Sequence, residues 1–299
     1  MERNDTTTTI TNTSGPVPDT HISLVFVSGL PGIGKSTLFQ NVMKRWIHED
    51  GFNVVKAESD TYRQKAMKME KLKPESRHLT PRELELKSKP VYTKLMHEDI
   101  RNIIAGLSKK DGKSIFILDK NYVPEKLREV IFSAAKDNFE KVTSFLILPS
   151  QSNLPELSIA VEEKENPFFL DTLCVSLIRC FSRKGHKSLC HGYSHSMKSI
   201  VGTLRSYAGE KFEDIAERWG MQTMSFNYFN VESLIEDSIK QDLRQKMTIV
   251  YQMIVKKNYD GDRSAELLFS NPELVKRICT YENHEQEYVR IAKRVSESS

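Results

Sequence analysis

The sequence predicts an α/β fold, a doubly wound parallel sheet of about five strands with a helical lid and a helical C-terminal extension. Two observations favour it: brief apolar runs alternate with charged stretches of helical period, and the first run ends in glycines directly before a helical pattern. This alternation is typical of parallel strands that helices cover on both faces. The runs expected to form strands are residues 22–27, 52–57, 114–118, 142–148 and 223–229.

A long insert between the second and third runs is expected to form two helices above the carboxyl edge of the sheet. The first is expected over residues 61–73. The second opens at Thr80-Pro81-Arg82-Glu83, a capping box with proline at the first helical position. After the fifth run, Asn230 is in a position to cap a helix over residues 231–257.

The composition is that of an ordinary globular protein. The chain has 299 residues, 38% of them hydrophobic, with 44 Lys and Arg against 40 Asp and Glu. Its longest apolar runs, such as 24–27, are far too short to cross a membrane, and the threonine-rich first residues lack the apolar stretch of a secretory signal. Its four cysteines are scattered and do not form a disulfide framework. We therefore expect a protein of the cytoplasm or nucleus with no membrane partner.

The residues Gly29-Leu30-Pro31-Gly32-Ile33-Gly34-Lys35-Ser36 fit the phosphate-loop pattern G-x-x-x-x-G-K-[ST], between a predicted strand and a predicted helix. Glycines allow backbone N–H groups to turn toward a polyanion, and the helix presents its positive N-terminal end to it. Lys35 is expected to reach the β- and γ-phosphates, and the hydroxyl of Ser36 to coordinate Mg²⁺. The pattern predicts a P-loop, nucleotide-kinase-like fold that binds ATP or GTP with Mg²⁺ through Gly29, Gly32, Ile33, Gly34, Lys35, Ser36 and Thr37.

These patterns divide the chain into three regions. Residues 1–20 are expected to form a disordered leader, and residues 21–230 a P-loop domain with a lid at about 175–200. Residues 231–299 are expected to form a helical extension packed on that domain. The last part of this extension has an amphipathic helical pattern that indicates no particular role.

Asp60 follows the second apolar run, at the edge of the sheet where open α/β folds bind their ligands. Its carboxylate could accept a proton from an incoming hydroxyl and align that hydroxyl with the γ-phosphorus. The alternative is an N-cap for the helix that begins at Thr61, and the two roles are compatible. Arg63 lies one turn into the same helix, where its guanidinium could hold a phosphate of the acceptor or could simply be solvated.

The third run ends in Leu118-Asp119-Lys120-Asn121, near the predicted phosphate loop. Asp119 and Asn121 are therefore candidate substrate-binding residues. For Asp119 several roles stay open: a partner of Mg²⁺ or of one of its ligands, an orienter of the acceptor, or a turn residue without chemistry.

The stretch from Thr172 to Gly209 contains six lysines and arginines and no acidic residue. Arg179 and Arg183 are four residues apart on one helical face, so both could close over bound phosphates and stabilise charge on the transferring group. The alternative is a solvated basic face. The same stretch contains thiols and imidazoles whose spacings lack the paired cysteines of structural zinc sites, so we expect no zinc there. These residues are Cys180, His186, Cys190, His191 and His195.

In these motifs the chain resembles the 5′-hydroxyl polynucleotide kinases, and most of all the bacteriophage RNA-repair kinase and the kinase module of plant and fungal tRNA ligases. The likeness covers residues of about 22–230 and rests on the phosphate loop, Ser59-Asp60-Thr61-Tyr62-Arg63-Gln64, the segment 118–121 and the arginine pair. The resemblance implies that Asp60 is the general base, that Arg63 holds the phosphate beside the attacking hydroxyl, and that Arg179 and Arg183 clamp the nucleotide.

The implied activity is transfer of the γ-phosphate of ATP or GTP, with Mg²⁺, to the 5′-hydroxyl of an RNA end, either single-stranded RNA or a tRNA exon, in tRNA splicing or RNA repair. The family's ligase and end-processing activities are then expected on separate partner chains. Lysines at 65, 68, 71 and 73 suit a polyanionic acceptor, or equally a solvated helix face. Two alternatives stay open: a P-loop kinase of small molecules or nucleotides, and a P-loop switch or assembly NTPase.

Overall fold

The computed structural model describes residues 20–149, 167–183, 192–207, 212–226, 236–280 and 284–299. Within them, five parallel strands form one sheet in the order β2-β3-β1-β4-β5. The predicted doubly wound α/β sheet is therefore confirmed, while the leader predicted over residues 1–20 lies outside the described residues apart from Thr20. The strands are β1 (His21–Val27), β2 (Asn53–Glu58), β3 (Ser114–Asp119), β4 (Lys141–Pro149) and β5 (Gln222–Phe226).

Helices connect the strands and follow the last of them. None of the helices in the described ranges has the length and apolar character needed to cross a bilayer. The helices are α1 (Lys35–His48), α2 (Ser59–Lys71), α3 (Pro81–Leu107), α4 (Glu125–Asn138), α5 (Pro167–Ser182), α6 (Tyr193–Tyr207), α7 (Phe212–Trp219), α8 (Asp237–Val255), α9 (Gly261–Leu268), α10 (Pro272–Cys279) and α11 (Glu285–Ser298).

The central strand β1 is buried along its whole length, as a parallel strand covered on both faces must be. The ring of Phe26 stacks on Phe132 of α4, with the centroids 6.0 Å apart. Ser23 shares hydrogen bonds with the hydroxyls of Thr143 on β4 and of Ser299, directly after α11. Because side chains alternate along a strand, Ser23 and Phe26 face opposite sides, so α11 and α4 cover opposite faces of the sheet.

The insert between β2 and β3 forms α2 and α3, as predicted. The capping box of α3 is confirmed: the amide of Glu83 donates to Thr80 Oγ1 at 3.3 Å, and the Glu83 carboxylate accepts from the amide of Thr80 at 2.9 Å. The fifth strand ends at Phe226, and the predicted remainder, 227–229, lies outside the described residues, as does the predicted cap Asn230. The described helix after it is α8, which begins at Asp237.

The lid predicted at residues 175–200 stays a prediction, although the structure describes both of its ends. Its first part belongs to α5, whose residues 173–181 are all buried, and α5 packs against α6, α8, α9 and α10. The burial of these residues accounts for the absence of acidic residues within this part of α5. The middle of the predicted lid, 184–191, lies outside the described residues.

The C-terminal helices share one hydrophobic core with the sheet. Leu243 of α8, Ile278 of α10 and Val295 of α11 are buried in the same cluster as the strands. The indole N–H of Trp46 in α1, itself fully buried, donates to the carbonyl oxygen of Ala292 in α11 at 3.1 Å. This bond joins the helix that follows the phosphate loop to the last helix of the chain.

We expect Trp46→Phe to lower the free energy of unfolding by about 1–3 kcal/mol, because the smaller ring leaves a void in the core and removes the bond from the indole to Ala292, whose carbonyl keeps the hydroxyl of Ser296 as a donor. The neighbouring substitution Ile47→Ala is the matched control, since Ile47 is 42% exposed and should change stability by no more than about 0.5 kcal/mol. Urea unfolding followed by circular dichroism measures both. An equal loss in the two variants would contradict the proposed anchoring of α11.

Candidate active site

The predicted phosphate loop connects the end of β1 to the start of α1. Its glycines adopt conformations that other residues rarely take: φ is 86° at Gly32 and 107° at Gly34, which is also the N-cap of α1. Lys35 is the first residue of the helix. The loop therefore has the strand–loop–helix geometry in which backbone amides and a helix N-terminus meet an anion.

Lys35 is buried, and its ammonium group donates to two carbonyl oxygens of the loop, at 3.1 Å to Gly29 and 2.8 Å to Leu30. Burial lowers the pKa of Lys35 to about 8; the negative charges of Asp119 and Asp60 oppose this shift, and the positive charge of Arg183 adds to it. A desolvated ammonium needs anionic partners. In this conformation the ammonium group donates to carbonyl oxygens, and these are the donors that could instead bond the phosphate of a nucleotide.

Asp119 lies at the end of β3, where the strand register brings it next to the loop. It is paired with Val27 of β1 on one side and with Glu58 of β2 on the other. The hydroxyl of Ser36 donates to its carboxylate at 3.3 Å, and the ammonium of Lys56 lies 3.8 Å away. Burial raises the pKa of Asp119, and the nearby Lys35 and Lys56 charges counteract the shift.

Asn121 lies beside the loop through its backbone, because its carbonyl oxygen accepts from the amide of Gly29 at 3.4 Å. Thr37 is in the first turn of α1, where its carbonyl oxygen accepts from the side chain of Asn41 at 2.9 Å. The structure thus brings the predicted residues of the loop and of the β3 end together at one edge of the sheet.

Asp60 lies in the first turn of α2. The helix begins at Ser59 with Glu58 at the N-cap, so the alternative of Asp60 as the N-cap is wrong. The guanidinium of Arg63 lies 3.5 Å from the Asp60 carboxylate and 4.0 Å from that of Glu85 on α3. Because β1 and β2 are strands of one parallel sheet and α2 begins directly after β2, Asp60 lies at the same edge of the sheet as the loop.

The two predicted arginines occupy different environments. Arg183 is partly exposed at the end of α5, and its charge is close enough to Lys35 to lower the pKa of that lysine. Arg179 is only 3% exposed, and its guanidinium bonds carbonyl oxygens of Ile278 and Ile33 at 2.7 Å and 3.3 Å. The expectation that both arginines close over the phosphates from a lid therefore does not fit Arg179 in this structure.

Sequence reasoning missed two residues of the site. Lys56 lies between the carboxylates of Glu58 and Asp119, and a lysine near the carboxyl end of an apolar strand was an available signal. Ser176 of α5 donates to the carbonyl oxygen of Pro31 at 2.6 Å. No sequence pattern marks Ser176, because a serine within a helix has no typical role.

No protein-family model and no curated protein matches the chain. Similar solved structures include a candidate kinase of Chloroflexus aurantiacus, at 12% identity and a TM-score of 0.34 over 82% of this chain and 98% of that one. They also include a chain from the PezAT chromosomal toxin–antitoxin system of Streptococcus pneumoniae, at 15% identity and a TM-score of 0.35 over 96% and 90%. At these scores neither likeness bears on what this chain binds. The sheet order and the loop themselves define a P-loop α/β fold.

The lowered pKa of Lys35 predicts how nucleotide affinity depends on pH. Above pH 8 the ammonium of the free protein loses its proton, whereas binding of a phosphate requires the charged form; affinity for ATP should then fall by up to about tenfold per pH unit between pH 8 and 9.5. Isothermal titration calorimetry in matched buffers measures this.

Lys35→Arg is the control for this pH dependence, because a guanidinium stays charged across the range. Its affinity for ATP should be independent of pH from 8 to 9.5, whatever its absolute value. A wild-type affinity that is equally constant up to pH 9.5 would rule out a titrating Lys35.

Proposed function

We propose that this protein is a phosphotransferase that moves the γ-phosphate of ATP or GTP to the 5′-hydroxyl of an RNA end. The observation that carries the proposal is the meeting of a loop with phosphate-binding geometry and a carboxylate outside that loop. Asp60 lies in the first turn of α2, directly after β2, and β2 ends at the same edge of the parallel sheet as β1, which leads into the loop. A kinase uses such a carboxylate to orient its nucleophile and to take the proton from it.

The residues divide the reaction between them. The loop amides and Lys35 hold the nucleotide phosphates, and Lys35 exchanges the carbonyls of Gly29 and Leu30 for phosphate oxygens. The 5′-hydroxyl oxygen forms a bond to the γ-phosphorus while the bond from that phosphorus to the β–γ bridging oxygen breaks. Asp60 takes the proton of the hydroxyl, and Arg183 stabilises charge on the transferring group.

The pair of Ser36 and Asp119 fits Mg²⁺. The ion prefers hard oxygen ligands, and here a hydroxyl and a carboxylate oxygen already lie 3.3 Å apart beside the loop. Bound there, the ion would neutralise charge on the β- and γ-phosphates. Asp119 would then serve the metal, one of the roles that the sequence left open.

The acceptor side favours a polyanion. Arg63 lies one turn beyond Asp60 and could exchange its carboxylate partners for a phosphate of the RNA. Farther along α2, Lys65, Lys68 and Lys71 are exposed. Lys73 instead bonds Glu70 at 2.6 Å, which sets it apart from the other three. These charges suit a polyanionic acceptor such as an RNA end. A role in tRNA splicing or RNA repair, with the sealing and end-processing enzymes as separate partners, is the part of the proposal that rests on the resemblance alone.

The direct test is incubation with γ-labelled ATP or GTP, Mg²⁺ and a short 5′-hydroxyl RNA. Label should appear on the RNA and not on a free nucleoside. Label on the nucleoside alone would favour a small-molecule or nucleotide kinase. Phosphate released at the same rate with and without an acceptor would favour a switch or assembly NTPase.

We expect Asp60→Asn to lower kcat for labelling by about 10²–10⁴-fold, the usual contribution of a general base, with affinity for ATP within about twofold of wild type. Asp111→Asn is the control, because Asp111 lies in the turn before β3, at the opposite edge of the sheet. Steady-state labelling kinetics measure both variants. Labelling by Asp60→Asn at the wild-type rate would remove the proposed base.

We expect Asp119→Asn to raise the Mg²⁺ concentration for half-maximal labelling by about 10–100-fold, because an amide binds the ion less well than a carboxylate. The same loss at every Mg²⁺ concentration would instead place Asp119 outside the metal site. Titration of Mg²⁺ at saturating ATP distinguishes the two results.

A further inference from the structure

One face of α5 packs against the outer side of the phosphate loop. Ser176 and Arg179 are three residues apart, which puts them on the same helical face, and Arg183 follows directly after the end of the helix at Ser182. The hydroxyl of Ser176 donates to the carbonyl of Pro31 at 2.6 Å. One guanidinium nitrogen of Arg179 lies 3.3 Å from the carbonyl oxygen of Ile33 and 3.5 Å from that of Gly32. Side chains of α5 thus hold three consecutive loop carbonyls.

The direction of these carbonyls fixes the direction of the amides. In a planar trans peptide the C=O and N–H bonds point in opposite directions. When the carbonyls of Pro31, Gly32 and Ile33 turn toward α5, the amides of the next residues, up to Gly34, turn away from it. Those amides are the donors that a phosphate loop presents to its anion.

The contact between the phosphate loop and α5 is so close that it leaves little room for a side chain at Gly32. A Cβ atom on Gly32 would lie 3.1 Å from the Sγ of Cys180, 3.1 Å from the carbonyl oxygen of Ser176 and 3.4 Å from the Cβ of Arg179. The backbone of the loop therefore rests directly on α5, and its φ of 86° at this position is one that suits glycine.

Arg179 also connects the loop to the C-terminal helices. Its Nε donates to the carbonyl of Ile278, one of the last carbonyls of α10, at 2.7 Å. Such carbonyls have no partner within their own helix, and a cation is favourable at that end. A guanidinium held from both sides and 3% exposed lies behind the loop rather than over the nucleotide.

We propose that Arg179 is a positioning residue for the phosphate loop: together with Ser176 it orients the loop amides by holding their carbonyls, and it takes its own support from α10. Arg183, one turn farther and partly exposed, is then the arginine of the pair that contacts the γ-phosphate. The inference rests on the proposed binding of a nucleotide at the loop, and not on the identity of the acceptor.

Binding of ADP and ATP, measured by calorimetry without an acceptor, separates the two roles. Arg179→Ala should weaken ADP and ATP by the same factor, about 10–100-fold for a charged hydrogen-bonding group, because misoriented amides affect every phosphate. Arg179→Lys should resemble it, since one ammonium cannot reach both Ile278 and the loop. Ser176→Ala should weaken both nucleotides about 2–10-fold. Arg183→Ala should weaken ATP but not ADP.

Two controls separate positioning from general destabilisation. Trp46→Phe loses a buried hydrogen bond at the far end of α1 and should keep its affinities. Arg205→Ala removes an exposed arginine of α6 and should also keep them. The variant Ser176→Ala keeps the test available if Arg179→Ala does not fold.

Arg179→Ala or Ser176→Ala with wild-type affinity for ADP would overturn the inference, as would a loss in Arg179→Ala confined to ATP, which is the behaviour of a γ-phosphate clamp. Wild-type protein that binds neither nucleotide would overturn both this inference and the proposed function. Wild-type protein that binds both but labels no RNA would remove only the acceptor, and the affinity pattern of the variants would still decide the role of Arg179.

Discussion

A loop that presents its amide hydrogens to an anion must place its carbonyl oxygens on the other side, and the rest of this site depends on how those oxygens are satisfied. Buried carbonyls without donors are costly, so the outer side of the loop needs a partner surface. Here α5 is that surface, with the hydroxyl of Ser176 and the guanidinium of Arg179 as donors. The burial of α5 itself comes from its apolar side chains, which belong to the hydrophobic core and pack against α6, α8, α9 and α10.

The parallel sheet supplies the second half of the site. The carboxyl ends of parallel strands meet at one edge, and the register pairs Asp119 with both Val27 and Glu58. Charged side chains of α1, of α2 and of the end of β3 therefore lie together near the phosphate loop. Each finds a partner within the site: Lys35 binds loop carbonyls, Asp119 accepts from Ser36, and Arg63 lies beside Asp60. Substrates would replace these internal partners, so that binding exchanges contacts and does not desolvate new charges.

Local patterns were sufficient to predict the sheet, the loop and the helical hairpin of α2 and α3, because their signals lie within short windows of sequence. The phosphate loop needs only eight adjacent residues, and the capping box at Thr80 needs only four. Residues 175–200 are harder to interpret from the sequence, for a different reason. A helix that is apolar and lacks acids can be either a buried element or a basic cover, and periodicity alone does not distinguish these. Periodicity also does not fix the residue at which α2 begins. That residue decides whether Asp60 caps the helix or lies in its first turn, and the helix begins at Ser59.

The role of Arg179 was beyond sequence reasoning because its partners are distant along the chain. Helical spacing predicted that Arg179 shares a face with Arg183, whereas α5 ends at Ser182, one residue before Arg183. The carbonyls that Arg179 bonds belong to Ile33, 146 residues earlier, and to Ile278, 99 residues later. The C-terminal helices, whose sequence indicated no role, thereby contribute to the shape of a loop near the start of the chain. Near the other end of α1, the bond from Trp46 to the carbonyl of Ala292 is a second contact with a C-terminal helix. The helix that begins at the phosphate loop is thus supported by the C-terminal helices near both its ends.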